Sequence, residues 1–208
     1  MPIFRQRFSL GLLLCFSLVI PWTGMAHATA TSGPQLSSVV DSVCGSGTFA
    51  AVQSSGQEAY VDFQSGDAAG AIDADRKAMK ISYACLLKPV KCSPGDSNCS
   101  PFDEIVAVYL RDRILSSQMN LWNELSNTND SGDAMTVVTE AMRNAGDLCK
   151  YQHLLAETTP FTGARSDLTL AMKYASKFAS DSLLRPSVEY QLDDLRQCAR
   201  RLGVDVPL

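Results

Sequence analysis

Histidine is nearly absent from this chain, with two in 208 residues. One of them, His27, lies in an N-terminal segment of export type, which leaves His153 as the sole imidazole for acid–base or nucleophilic work. A Ser-His-Asp or Cys-His hydrolase would have to be built on that residue, and no Gly-x-Ser-x-Gly elbow is present to present a serine. A secreted phospholipase would need a His-Asp pair, but Leu154 follows His153. Cys-x-x-Cys is also missing, so neither a thioredoxin-like redox centre nor haem attachment through Cys-x-x-Cys-His is available. Basic residues are in deficit, 18 Lys and Arg against 22 Asp and Glu. That balance argues against a nucleic-acid binder, whose affinity comes largely from phosphate contacts, and against a polybasic membrane-surface protein. No heptad run, low-complexity tract or internal repeat is visible.

The N-terminus has the layout of a signal peptide. Arg5 and Arg7 precede an apolar stretch from Leu10 to Ile20, Pro21 breaks it, and Ala26-His27-Ala28 offers small residues where a signal peptidase reads. The apolar stretch is shorter than the roughly 20 residues that span a bilayer. Cys15 sits inside it behind Leu14, where a lipobox needs a small residue. The expectation is removal of residues 1–28 and a single helical domain over 29–208, with no later membrane span. Losing two arginines and no acid leaves 16 basic and 22 acidic residues, a net charge of −6 on the 180 that remain.

Cleavage would also remove Cys15, leaving Cys44, Cys85, Cys92, Cys99, Cys149 and Cys198. An even cysteine count in an exported chain predicts disulfides. We weigh one pairing above the others. Cys92 and Cys99 would close a small loop around Pro94-Gly95, and Cys149 and Cys198 sit beside the inner stripes of long helices. That leaves Cys44 with Cys85.

Apolar residues recur with helical spacing through most of the chain, which predicts an all-α bundle of five or six helices pinned by disulfides. Leu36 to Val43 forms a first turn stopped by Cys44-Gly45-Ser46-Gly47. The stretch Thr48–Gly66 is ambiguous between helix and irregular strands, with helix favoured. Ile72, Met79, Tyr83, Leu86 and Leu87 make a stripe opposite Asp73, Arg76, Lys77 and Lys80. Beyond a cysteine-containing loop at 88–100, Ser100-Pro101-Phe102-Asp103 reads as a cap, a first-position proline and an acid in the first turn. The helix that follows would turn Phe102, Ile105, Val106, Tyr109, Leu110, Ile114, Leu121, Trp122 and Leu125 inward. Later helices are expected after Asp133, from Ser166 and after a break at Arg185-Pro186-Ser187.

Asp96, Asn98 and Ser100 alternate as at the start of an EF-hand loop, but Pro101 stands where glycine is required and Ala107 where a bidentate glutamate belongs. Cys85, Cys92 and Cys99 are spaced too widely for an ordinary structural zinc site. Cys149, His153 and Glu157 share a helical face without evident further ligands. Met135 and Met142 fit core packing rather than copper or haem handling. Asn98-Cys99-Ser100 and Asn129-Asp130-Ser131 match the glycosylation pattern and would matter only in a host that glycosylates. No catalytic residue, metal ligand or cofactor site is therefore assigned. A glycoside hydrolase needs only carboxylates, and Glu58, Glu104, Glu124, Glu140, Glu157 and Glu189 are available for one.

The expectation is an exported protein, periplasmic or secreted, that binds another protein. An envelope inhibitor, an immunity protein or a secretion-apparatus accessory would fit, with a basic partner suited to the acidic chain. Its candidate contact loop is Pro94, Gly95, Asp96, Ser97 and Asn98. The alternatives are a helical cell-wall or glycan hydrolase using one glutamate, and a small-ligand carrier.

Overall fold

The structure, a computed structural model, describes residues 35–90, 92, 93, 96, 98–127, 131–157, 161–180 and 185–204. These residues form an all-helical bundle crossed by three disulfides, and no strand occurs among them. Six helices are long: α2 (Thr48–Ser65), α3 (Ala68–Leu86), α4 (Pro101–Asn127), α5 (Ser131–Cys149), α7 (Thr162–Ser180) and α8 (Arg185–Leu202). Two are short, α1 (Leu36–Cys44) and α6 (Gln152–Glu157), and they bring the total among the described residues to eight. No described helix is long and apolar enough to cross a membrane.

Local chemistry explains most boundaries. At the start of α4 the Asp103 amide donates to Ser100 Oγ at 3.1 Å, while that hydroxyl donates to Asp103 Oδ2 at 2.9 Å. One orphan amide of the helix end is thereby satisfied, and the acid holds the hydroxyl that caps it. Asp67 caps α3 by accepting from the Gly70 amide. The ambiguous stretch at 48–66 is one helix, and its cap comes from the preceding one. Asp41 of α1 accepts from the Gly47 and Phe49 amides at 3.0 and 2.9 Å. The chain can fold back so tightly because Gly45 and Gly47 take positive φ. Arg185-Pro186-Ser187 does not break the chain as expected. Instead it opens α8, where proline costs no hydrogen bond in the first turn.

Helix α4 is the axis of the bundle, packed against α1, α3, α5 and α7. Val106, Tyr109, Leu110, Ile114, Leu121 and Leu125 are buried, whereas Phe102, expected to turn inward, is exposed. Trp122 packs edge-on against Tyr174 and Phe178 of α7, at centroid distances of 5.0 and 4.9 Å. Arg111 locks α4 to α5 by donating to Asp147 Oδ2 at 3.0 Å, and Asn144 Nδ2 returns a bond to the Arg111 carbonyl at 2.8 Å.

One stripe sits differently from its expected face. The buried side of α3 carries Ala71, Ala74, Asp75, Ala78, Ser82 and Cys85. Ile72, Met79, Tyr83 and Leu86 lie at its margins, and Leu87 is exposed. Small side chains let α2 and α3 approach closely, so the larger apolar groups flank the contact instead of filling it.

Candidate functional site

The three bridges are Cys44–Cys85, Cys92–Cys99 and Cys149–Cys198. These are the three pairs weighed from the sequence. Cys44–Cys85 ties the end of α1 to the end of α3, and Cys149–Cys198 ties α5 to α8 with both residues buried. Cys92–Cys99 closes the 88–100 loop. The loop's entry is held down by buried Val90 and by Cys92 Sγ, 3.7 Å from the hydroxyl of the buried Tyr151. Within the closed turn Asp96 and Asn98 are exposed, and Asp96 Oδ1 accepts from the Asn98 amide at 2.9 Å. Pro94, Gly95 and Ser97 lie outside the described residues, as does the expected signal segment at 1–28. Two large apolar side chains stand at the loop's shoulders. Leu87 is 79% exposed and Phe102 is 52% exposed.

Of the other singled-out residues, His153 is largely exposed, with its Nε2 3.1 Å from Glu104 Oε1. Cys149 is bonded to Cys198, so it is not available as a ligand beside that histidine. Glu58 pairs with Lys77 at 3.3 Å on the surface, and Glu140 and Glu189 are exposed. Nothing is described of the Glu157 side chain. Among the described residues no group of three His, Cys, Asp or Glu could hold a metal ion.

Glu124 is different, and it belongs to a feature that sequence reasoning missed. A seam of buried acids runs along α4. Asp75 of α3 is 1% exposed and Glu124 is 4% exposed. Neither Asp75 oxygen has a hydrogen-bond partner among the described residues, nor does Glu124 Oε2. Burial pushes the Asp75 carboxyl up to about 7; Ser117 and Asn120 face it and pull the other way, but neither completes a hydrogen bond. Burial likewise pushes Glu124 up to about 8, helped by the charge of Asp75. Farther along, Arg113 donates to Asp112 through Nε at 3.1 Å and reaches Asp167 of α7 at 3.8 Å. Burial works against the guanidinium's charge, but Asp112 more than restores it and holds its proton firmly. Asp167 is raised, first by burial and then by Asp112.

Between these groups, α2, α3 and α4 line a partly open recess of about 20 Å³, room for a water-sized occupant. Gln53, Asp75, Arg113, Ser116, Ser117 and Asn120 supply its polar wall. The space arises because Gly56 and Ala78, also in the wall, carry almost no side chain. Glu124 has the raised proton affinity a glycan hydrolase would want, yet the neighbouring recess does not admit a sugar ring. A sequence signal for Asp75 did exist: it falls three and four residues from Ala78 and Ala71, on the small-residue face of α3.

The seam makes stability depend on pH. Unfolded, Asp75 and Glu124 ionise near 4; folded, they hold their protons to about 7 and 8. Between those limits the native state binds more protons than the unfolded chain, so stability falls as pH rises from about 4 to 8 and then levels off. We expect the wild type to lose several kcal/mol across that window at low salt. Urea unfolding of Asp75→Asn/Glu124→Gln should give a much flatter profile. An equally steep decline in that variant would place the titrating groups elsewhere.

Comparison of the chain with protein-family models, curated proteins and solved structures finds no match.

Proposed function

We propose that this is an exported protein, periplasmic or secreted after removal of residues 1–28, that acts by binding another protein through the face carrying the 88–100 loop. The single observation that carries this reading is the exposure of Leu87 and Phe102 at the two shoulders of a loop closed by Cys92–Cys99. Isolated exposed apolar residues are ordinary on protein surfaces. Two of them flanking a turn that is covalently closed and anchored at its base supply rigid contact area, which lowers the ordering cost of association. The net charge of −6 expected after cleavage favours a basic partner and a salt-sensitive encounter. An inhibitor, an immunity protein or an accessory of a secretion apparatus would each work this way.

The test is affinity purification from the native envelope fraction with the oxidised 29–208 chain as bait, beside Leu87→Ser/Phe102→Ser as a second bait. The expected result is a basic protein retained by the wild type, released by added salt and at least tenfold depleted on the double variant. Equal retention by both baits, or retention indifferent to salt, would remove the loop face or the electrostatic component from the account.

A further inference from the structure

The three bridges differ in how a thiol can reach them. Cys149 and Cys198 are both buried. Cys44 is half-buried, but its partner Cys85 lies in the core. Exchange at Cys44 would therefore expel a thiolate into apolar surroundings, where burial raises a thiol's pKa and makes it a poor leaving group. Cys92–Cys99 alone has both members half-buried. Opening it also leaves the helices pinned, because the other bridges tie α1 to α3 and α5 to α8.

The two sulfurs of that bridge have unequal surroundings. The Ser93 carbonyl lies 4.0 Å from Cys92 Sγ and 3.9 Å from Cys99 Sγ, so it does not separate them. Tyr151 does. Its hydroxyl is 3.7 Å from Cys92 Sγ, and since a disulfide sulfur carries no proton, the hydroxyl is the donor. No donor among the described residues reaches Cys99 Sγ. Arg111, Asp147 and Glu104 stand around the Tyr151 hydroxyl. They leave no surplus of positive charge, because Arg111 is paired with Asp147 and Glu104 with His153. The discriminating group is the phenol proton, which a thiolate at Cys92 would accept.

We propose that Cys92–Cys99 is a redox-exchange site, a disulfide opened selectively by a dithiol reductant that attacks Cys99 and displaces Cys92. The attacking thiolate bonds to Cys99 Sγ as the bond between the two cysteines breaks, and the electron pair leaves on Cys92 Sγ beside the Tyr151 proton. The reductant's second thiol then attacks its own partner sulfur in the mixed disulfide and releases Cys99. The reductant's two thiols become a disulfide, and their two protons end on Cys92 and Cys99. The chain is the substrate of this exchange and not its catalyst, in keeping with its lack of Cys-x-x-Cys. Reduction would release the covalent closure between buried Val90 and the Ser100 cap of α4. The assignment does not depend on a partner at the 88–100 loop.

Timed reduction of the folded, oxidised 29–208 chain with dithiothreitol tests this, with acid quenching, maleimide labelling and peptide mapping. Cys92 and Cys99 are expected to be labelled at least about tenfold faster than the other four cysteines, with the helical circular dichroism unchanged. With glutathione in place of dithiothreitol, the adduct is expected chiefly on Cys99 and the maleimide chiefly on Cys92. Tyr151→Phe keeps the ring and removes the proton. It should slow opening roughly threefold and move the glutathione adduct toward Cys92. Simultaneous opening of all three bridges, or earlier opening of Cys44–Cys85 or Cys149–Cys198, would overturn the site. A glutathione adduct chiefly on Cys92, or the same adduct distribution in Tyr151→Phe as in the wild type, would overturn the direction of attack.

Discussion

Replacing Arg113 with methionine is expected to destabilise the protein by roughly 3–5 kcal/mol, although the two side chains have similar length and volume. The loss is electrostatic. Asp112 is 5% exposed, and its Oδ2 is satisfied by Arg113 through Nε and Nη2. Asp167 approaches the same Nη2 at 3.8 Å. Without the cation, α4 and α7 would meet through the buried Asp112 and the half-buried Asp167. Asp167 already holds its proton more tightly than usual, so part of the strain can be relieved by protonation. The penalty should therefore be smaller at pH 5 than at pH 8, a dependence that simple loss of packing would not produce. The triple variant Arg113→Met/Asp112→Asn/Asp167→Asn should recover much of the loss, because no unpaired charge is left behind. Urea unfolding at the two pH values measures all of this.

The second large effect concerns the covalent frame. Cys149→Ser/Cys198→Ser opens a bridge spanning 49 residues, for which the loop-entropy relation gives about 4 kcal/mol. The bridge sits in the core, so two hydroxyls would also be buried where the sulfurs were. Opening Cys44–Cys85, with a separation of 41, should cost a similar amount by chain entropy. Cys92→Ser/Cys99→Ser should cost less, about 2.5 kcal/mol, because the sequence separation of that pair is only 7. Its expected consequence lies in binding instead, since the candidate contact loop would lose its closure. Denaturant midpoints for the three double variants give the ranking, and a larger loss for Cys92–Cys99 than for Cys149–Cys198 would contradict it.

Helical class, the start of α4 and the cysteine partners were legible because each rests on local information. Ser100, Pro101 and Asp103 write a helix start in consecutive residues. Cys149 and Cys198 could be matched because each lies beside a strong apolar stripe. The acid seam was not legible, for a physical reason. Whether Asp75 faces solvent or α4 depends on how closely α2 and α3 approach, and that is set by Ala71, Ala74 and Ala78, residues with little hydropathy signal. Apolar size pointed instead to Ile72, Met79 and Leu87, and Leu87 is exposed. The same ambiguity affected 48–66. Tyr60, Val61 and Phe63 are exposed on α2, so the period of its apolar residues does not follow its buried face. The kink between α5 and α6 was hidden as well, because Leu148, Cys149, Tyr151 and Leu155 are all buried through the turn at Lys150-Tyr151. Glu124 is one available carboxylate among several, and nothing in its sequence neighbours sets it apart. Its distinction comes from burial beside Asp75, on another helix.

Export and oxidation come before everything proposed for the loop face. The chain must leave a reducing compartment for Cys92–Cys99 to close the turn and for the other two bridges to pin the helices beneath it. Intact-mass spectrometry of the native protein from envelope and extracellular fractions, before and after reduction, tests this most directly. The account predicts a chain beginning at Thr29, with no free thiol and a gain of six hydrogens on reduction of its three disulfides. A chain that retains residues 1–28 and carries free thiols at Cys92 and Cys99 would contradict it.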